Sequence, residues 1–172
     1  MADPHRTRQD PGVRRLVQSI GLSRQFAFFL LVADTPRVAQ EAFAVLEEGV
    51  AGERGEAVHL VQLEPYQAHA PIRFELLVDE VLAPLVDPTE AMASARAIVV
   101  IDASGAPPRD DDAGKLLFHR MNERRNVIAA ALPGTLVLAL PPRLEPLFAH
   151  AAPDFWSIRS LAVVVKGAPP RP

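Results

Sequence analysis

Three residues with the chemistry to hold a phosphate or a metal ion follow apolar segments of this chain. Asp34 and Thr35 come just after the apolar segment 26–32, and Asp102 ends the apolar segment 97–101. Open α/β sheets bind their ligands at the carboxyl ends of strands, where these residues would lie. A carboxylate suits Mg²⁺ and a hydroxyl suits a phosphate or its metal ion. Asp34, Thr35 and Asp102 are therefore predicted to be the remnants of a nucleotide site.

The loop that would bind the phosphates is absent from the sequence. There is no glycine between Ser23 and Glu48, and no lysine precedes Lys115. Phosphate binding requires backbone N–H groups, brought close by glycines, and a lysine that supplies charge. We therefore expect no cofactor and no catalysis, with Thr35 acting as a helix cap. A weak nucleotide site built on an unconventional loop is an open alternative.

A second alternative uses a different combination of strand ends. Asp34, Asp102 and Lys166 each follow a predicted strand. Phospho-receiver domains place a metal-binding acid, a phosphorylated Asp and a Lys that senses the phosphoryl charge in this way. The first strand ends in a single acid, and the fourth ends in Ala-Leu-Pro-Pro without a hydroxyl residue. A receiver-like phospho-acceptor switch is thus a second hypothesis.

Other reactive side chains form no recognisable constellation. The chain has no cysteine, which excludes disulfides, thiolate metal sites and cysteine nucleophiles. The five histidines are scattered, and none pairs with another at the spacing of metal ligands. Ser104-Gly105 is only a fragment of the Gly-x-Ser-x-Gly nucleophile elbow and favours a plain turn. The sequence predicts no metal and no enzymatic activity.

Composition limits the cellular setting and the kinds of partner. Hydrophobic residues make up 49% of the 172 residues and charged residues 23%, which is typical of one globular domain. A net charge of −3 gives no general argument for a nucleic-acid partner. The polar, Arg-rich first 25 residues do not resemble a signal peptide, and no apolar run is long enough to span a bilayer. We expect a cytoplasmic protein without a membrane partner.

Apolar segments separated by helical patterns predict an α/β fold. The predicted strands cover 26–32, 57–63, 97–101, 135–140 and 161–165. Two predicted helices begin after the caps Asp10 and Thr35, and the second of them covers 36–48 and is followed by a glycine turn at 49–55. Four further helices are predicted at 72–83, 89–95, 112–132 and 143–151. Continuous apolar strands favour a mostly parallel five-stranded sheet in a three-layer sandwich. We expect a flexible tail at 1–10, one domain at 11–166 and a proline-rich tail at 167–172.

The order of the elements and the sequences at their ends resemble a known family. The relevant segments are 26–34, 97–102, 121–126, 136–142 and 152–160. Together they resemble the core of STAND-type P-loop ATPases, relatives of the AAA+ proteins, and more closely the inactive STAND-like domains of bacterial conflict and signalling systems. The resemblance implies a P-loop-like fold that lacks the phosphate-binding loop. It also implies recruitment or sensing, with a protein partner such as a protease effector or a helical-repeat protein.

The most specific parts of this resemblance supply candidate structural or interaction residues. They are Asn122, Arg125, Phe155, Trp156 and Arg159. Asn122 and Arg125 share a helix face because they are three residues apart. We expect a structural role for Asn122 and packing of the last helix by Trp156, with Arg159 bonded to a carboxylate or loop carbonyls. Tryptophan and arginine are also the residue types that dominate interface hot spots.

Taken together, these features predict a non-catalytic adaptor or sensor module that binds protein partners. The candidate surfaces are the loop at 65–71, the loop at 103–112 and the basic face of the predicted helix at 112–132. The Arg-rich amino end has no interleaved aromatic residues for base stacking, so a solvated segment is favoured over a nucleic-acid site. The sequence predicts neither the strand order nor the oligomeric state.

Overall fold

A single parallel sheet organises the chain. The computed structural model describes residues 4–65 and 78–167. The five strands are β1 (Ala27–Ala33), β2 (His59–Leu63), β3 (Ala97–Asp102), β4 (Thr135–Leu140) and β5 (Arg159–Val165). All pairings are parallel, and the strand order is β2-β3-β4-β1-β5. The predicted five-stranded α/β class is confirmed, with each strand within two residues of its expected bounds.

Helices cover both faces of the sheet. They are α1 (Pro4–Gln9), α2 (Pro11–Leu22), α3 (Pro36–Arg54), α4 (Ala83–Val86), α5 (Asp111–Glu123), α6 (Arg125–Ala131), α7 (Glu145–Ala151) and α8 (Pro153–Ile158). A π-helical turn, Val78–Leu82, leads into α4, and 3₁₀ turns at Pro108–Asp110 and Pro142–Leu144 precede α5 and α7.

Alternation along the strands divides the buried side chains into two cores. Phe29 and Leu31 of β1 face a core formed with α2 and α3. Phe28 and Leu30 face the opposite core, which α4 to α8 complete. Side chains of a strand point alternately to the two sheet faces, so a continuous apolar strand needs cover on both. These two cores give the three layers of the sandwich.

The strand order creates a crevice at the carboxyl ends of β1 and β4. After β1 the chain passes to α3 on one face, whereas after β4 it passes to α7 on the other. Neighbouring strands whose connections diverge in this way form the topological switch point at which α/β proteins bind ligands. Asp34 and Thr35 lie at this crevice.

The amino end differs from the predicted tail. Residues 4–9 are helical, and the Thr7 hydroxyl donates to the Glu41 carboxylate of α3 at 2.8 Å. Thr7 is buried, and Arg8 forms an ion pair with Glu48. This part of the predicted loose tail is thus packed against α3. The predicted cap of α2 is confirmed, since Asp10 accepts the N–H groups of Gly12 and Val13.

The glycines at 49 and 52 do not form the predicted turn. Helix α3 runs through both and ends at Gly55, the described residue with a positive φ, 66°. A Cβ on Gly49 would lie 2.9 Å from a methyl group of Val17 in α2. Gly49 therefore allows α2 and α3 to approach closely, and the prediction of a turn at this glycine was wrong.

Two predicted helices are also corrected by the structure. The long helix at 112–132 is divided at Arg124, whose φ of −100° and ψ of 8° leave helical geometry. No side chain at 122–127 is buried, so packing does not hold the helix continuous there. Residues 89–95 form turns, because Met92 alone in that segment is buried and no apolar stripe exists.

At the other end of the sequence, the structure forms a helix where a turn was expected. The predicted Pro-Asp-Phe-Trp turn is helix α8, which follows α7 directly and leads into β5. Half of the predicted helix at 72–83, residues 72–77, and most of the candidate loop at 65–71 lie outside the described residues.

Candidate functional site

The loop after β1 uses its polar side chains to hold backbone groups. The Thr35 hydroxyl accepts the N–H of Val38 at 3.3 Å and caps α3, as the sequence predicts. One carboxylate oxygen of Asp34 accepts the backbone N–H of Gly167 at 2.8 Å. Asp34 thus ties the segment that leaves β5 to the loop that leaves β1. These contacts are those of a fold that joins two neighbouring strand ends.

Asp102 lies at the centre of a hydrogen-bonded cluster at the carboxyl end of β3, which β4 separates from β1. One carboxylate oxygen accepts both the backbone N–H and the hydroxyl of Ser104. The other oxygen accepts the side-chain amides of Gln40 in α3, at 2.9 Å, and of Gln62 in β2, at 3.2 Å. The Gln62 amide also donates to Glu64 at 2.7 Å. The Asp102 carboxylate therefore joins α3, β2 and the turn after β3.

The sheet separates the three predicted nucleotide-site residues. Strand β4 lies between β1 and β3, so Asp102 ends two strands away from Asp34 and Thr35. Adjacent strands are about 4.8 Å apart, which places the two strand ends roughly 10 Å apart. Asp34 and Thr35 adjoin each other in the loop, but the structure does not bring Asp102 to them.

The same strand order bears on the receiver-like arrangement of Asp34, Asp102 and Lys166. The flavodoxin-like order 2-1-3-4-5, in which receiver domains fold, places β1 beside β3. Here β4 separates β1 from β3, and exposed Lys166 follows β5 on the far side of β1. This geometry spreads the three side chains along the sheet edge and does not favour the receiver-like alternative.

Arg143 lies in the turn after β4, the strand on the other side of the crevice from β1, and its contacts were not predicted from the sequence. Its guanidinium donates to the carbonyl of Ala106 and to the carboxylate of Asp111, the latter at 3.0 Å. Arg143 thereby joins the turn after β4 to the loop after β3 and to the start of α5.

The five candidate structural or interaction residues lie in three separate places. Asn122 accepts the backbone N–H groups of Asp154 and Phe155 and donates to the Asp154 carboxylate at 3.3 Å. Phe155 is fully buried, with its ring centroid 5.0 Å from that of Phe28. Asn122 therefore holds the start of α8 while Phe155 anchors that helix in the core.

Trp156 and Arg159 form a separate pair at the start of β5. The Arg159 guanidinium lies 3.7 Å from the centroid of the Trp156 ring and donates to the Trp156 carbonyl. A cation over an indole face is attractive by about 0.5–2 kcal/mol, depending on exposure. Arg125 lies apart from this pair, where it donates to the side chain of its neighbour Asn126.

Two clefts among the described residues lie away from these residues. One, of about 310 Å³, lies among α1, α2 and α3 and is lined by both Arg8 and Glu48, which pair with each other. Another, of about 390 Å³, lies at the amino ends of the strands beside Phe26 and Pro133. Sequence periodicity did not indicate either cleft, because each depends on how separate helices pack.

The described residues hold neither a cluster of metal-binding side chains nor a membrane-spanning helix. In 4–65 and 78–167, no group of three His, Asp or Glu side chains is placed to hold a metal ion. Within the same ranges, no helix combines the length and the apolar character needed to cross a membrane.

Comparisons with known proteins find similar solved structures but no matching family model. No protein-family model and no curated protein matches the chain. The crystal structure of Saccharomyces cerevisiae RIF2 is similar at a TM-score of 0.40 and 9% sequence identity. The alignment covers 98% of this chain, which spans 60% of the RIF2 chain.

Proposed function

We propose that this chain is a non-catalytic adaptor or sensor module that binds protein partners in the cytoplasm. Its setting is bacterial signalling or defence, as its resemblance to inactive STAND-like domains implies. The partner is a protein, such as a protease effector or a helical-repeat protein, and no nucleic acid takes part.

The observation that supports this proposal is the full use of the Asp102 carboxylate. One oxygen accepts two hydrogen bonds from Ser104, and the other accepts one each from Gln40 and Gln62. A metal ion bound there would have to displace at least one of these donors, and each is contributed by the fold itself. A hydrogen bond to a charged group contributes roughly 1.5–3 kcal/mol, which a weakly bound ion does not replace.

The residues at the crevice point in the same direction. Asp34 holds Gly167, Thr35 caps α3, and Arg143 is bonded to Ala106 and Asp111. A guanidinium that is already paired with a carboxylate offers little to an incoming phosphate. The polar groups of the switch point thus stabilise the fold, which leaves the outer surface for recognition.

A melting-temperature scan tests the loss of nucleotide binding. The purified chain is heated with ATP, ADP or GTP, each with and without Mg²⁺. A ligand at 100 times its dissociation constant stabilises the folded state by about 2.7 kcal/mol, a shift of several degrees for a domain of this size. We expect no shift. A clear shift with one nucleotide would instead establish the unconventional nucleotide site.

Binding of a protein partner tests the adaptor function directly. The full chain is mixed with the purified products of the genes that flank its own, and complexes are resolved by size-exclusion chromatography. We expect one of these proteins to co-elute with the chain. Activity of the chain alone, with no association to any of them, would contradict the adaptor function.

A small phosphodonor tests the receiver-like alternative. The chain is incubated with acetyl phosphate and Mg²⁺, and its intact mass is measured. We expect no added phosphoryl group, because the fold separates Asp34, Asp102 and Lys166. Labelling that requires Mg²⁺ and is lost in Asp102→Asn would support the receiver-like switch over the adaptor.

A further inference from the structure

We infer that the outer edge of β5 accepts an extended, apolar segment of a partner protein, flanked by acidic residues, as an added strand of the sheet. This inference rests on the proposed function, for which it names the binding surface and the chemistry of the partner. Strand addition to a sheet edge is a general mode of peptide recognition, in which main-chain hydrogen bonds supply affinity.

The register of β5 identifies the backbone groups that face outward. Strand β5 ends the sheet and pairs only with β1 among the described strands. The carbonyl of Val165 accepts the N–H of Asp34, which continues from β1, so the backbone groups of Val165 face β1. The N–H and C=O of one strand residue point to the same side, and the side alternates along the strand. Ala162 and Val164 therefore point their backbone groups away from the sheet.

Beyond Arg159 and the pairing irregularity at its amino end, β5 lacks the usual protection of an edge strand. Natural edges carry charged residues, prolines or bulges that prevent pairing with another chain. Residues 160–165 include no charge and no proline. The irregularity in the pairing of β1 with β5 lies at Phe28 and Phe29, at the amino end of the strand, away from Ala162 and Val164. The carboxyl half of β5 is thus regular, and it has no second strand partner among the described residues. The start of α2 approaches it at one point, where a Cβ on Gly12 would lie 3.6 Å from the Val164 carbonyl oxygen.

The two faces of β5 are covered unequally. Helix α2 packs against Val163 and Val165, which are buried. On the opposite face Val164 is 52% exposed, and Ile158, just before the strand, is 40% exposed. Trp156 is half-buried at the same end. An added strand would find apolar contact on this face, beside the residue types that dominate interface energies.

Charge at the two ends of β5 selects the occupant. Arg159 begins the strand and Lys166 follows it, and no carboxylate of the described residues pairs with either one. A second copy paired antiparallel along this edge would bring Arg159 close to Lys166 of the other copy at both ends. Like charges placed opposite each other destabilise a strand pair. Acidic residues at both ends of a foreign segment would instead be attracted.

A labelled peptide tests this edge in the full chain. The probe is a fluorescein-labelled peptide, Glu-Asp-Val-Thr-Val-Thr-Val-Thr-Asp-Glu, and binding is measured by fluorescence anisotropy. We expect binding that weakens as salt increases, because the flanking charges are solvent-exposed. Two matched peptides serve as controls. Lysine in place of every acid should weaken binding at least tenfold, and N-methylation of alternate amides should abolish it.

Two substitutions at Val164 test the same edge from the protein side. Val164→Pro removes an N–H that faces outward, and proline is tolerated on edge strands when the missing N–H faced solvent. Val164→Thr keeps the N–H and the β-branched shape. We expect Val164→Pro to weaken peptide binding at least tenfold and Val164→Thr to leave it nearly unchanged. If Val164→Pro fails to fold, the N-methylated peptide decides with the unaltered chain.

Four results would overturn the inference. One is no binding of the acidic peptide, and another is equal binding of its N-methylated form. The third is a dimer in sedimentation velocity that Val164→Pro abolishes, since the occupant would then be a second copy. A flanking-gene product that binds the chain with and without Val164→Pro would also overturn the edge site while the adaptor function stands. No partner for the unaltered chain would instead contradict the adaptor function itself.

Discussion

The side-chain oxygen of Asn122 lies 2.9 Å from the backbone nitrogen of Asp154 and 3.3 Å from that of Phe155. The residue at the N-cap of α8 is Ala152, which has no side-chain acceptor for these amides. Asn122, from α5, supplies the missing cap from a distance of 32 residues in sequence. Unsatisfied N–H groups of the first helical turn are costly when they are buried. This contact therefore fixes α8 and, with it, the direction in which the chain enters β5.

Removing this distant cap should reduce the free energy of unfolding. Asn122→Ala deletes the acceptor for two amides of α8, and loss of an N-cap side chain costs about 0.5–2 kcal/mol. We expect a loss of about 1–2 kcal/mol in urea unfolding, with an unchanged slope. Asn126→Ala is the control, because Asn126 is exposed and accepts only from its neighbour Arg125. Equal stability of Asn122→Ala and the control would show that the cap does not contribute to the free energy of unfolding.

The cluster around Asp102 predicts a second change in stability. Asp102→Asn replaces one acceptor oxygen with an NH₂ group, which faces donors from Gln40 and Gln62 or from Ser104. Two donors that face each other cannot bond, and the charge that strengthened the remaining bonds is lost. We expect about 1–3 kcal/mol of destabilisation, measured by urea unfolding.

The control for Asp102→Asn is the same chemical change at an exposed acid. Asp87 follows α4, and the described residues give its side chain no hydrogen bond. Asp87→Asn should alter stability by less than about 0.5 kcal/mol. Addition of Mg²⁺ should raise the melting temperature of the unaltered chain no more than that of Asp102→Asn. Stabilisation by Mg²⁺ that depends on Asp102 would reveal a metal site at that carboxylate.

Elements with a strong local signal could be predicted from the sequence, and contacts between distant elements could not. Asp10 and Thr35 cap helices because a cap depends on residues within one turn. The apolar strands are likewise evident from their composition. The order β2-β3-β4-β1-β5 follows from the packing of helices on two faces, which periodicity does not encode.

The same limit applies to the candidate site. The sequence correctly placed Asp34 and Asp102 at strand ends, but their separation depends on which strand lies between them. The role of Gly49 was missed because a glycine of a helix–helix contact looks identical to a glycine of a turn. Arg143 was missed because its partners, Ala106 and Asp111, are distant in sequence.

The Arg54 guanidinium makes a hydrogen-bond network that a lysine ammonium group could not reproduce. Its guanidinium donates to the carbonyls of Ile20, Ser23 and Ala95, and so joins α2, α3 and the turn before β3. Burial, together with the nearby positive charge of Arg24, lowers the pKa of Arg54. Arginine nevertheless stays protonated in proteins, so the hydrogen bonds offset a real cost of burying the charge.

Replacing Arg54 with lysine should therefore be destabilising. Lysine keeps the charge but lacks the planar fork that reaches several carbonyls at once. We expect Arg54→Lys to lose about 1–2 kcal/mol in urea unfolding, since partly buried carbonyls are left without donors. Arg96→Lys is the matched control, because the Arg96–Glu56 ion pair is exposed and such pairs contribute little. A loss at Arg96→Lys as large as that at Arg54→Lys would contradict this account.

Two glycines should respond in opposite directions to the same added methyl group. A Cβ on Gly134 would lie 2.5 Å from the carbonyl oxygen of Ala97 and 3.0 Å from that of Ser94. Both contacts involve backbone atoms, so Gly134→Ala must displace the start of β3 or β4. A Cβ on Gly52, which is an exposed position of α3, meets nothing within 4 Å. Gly134→Ala should lose about 1–3 kcal/mol, whereas Gly52→Ala should gain about 0.5–1 kcal/mol from helix propensity. Thermal and urea unfolding of both variants measure this difference, and a Gly134→Ala chain as stable as the unaltered one would contradict the close approach of β3 and β4 at that point.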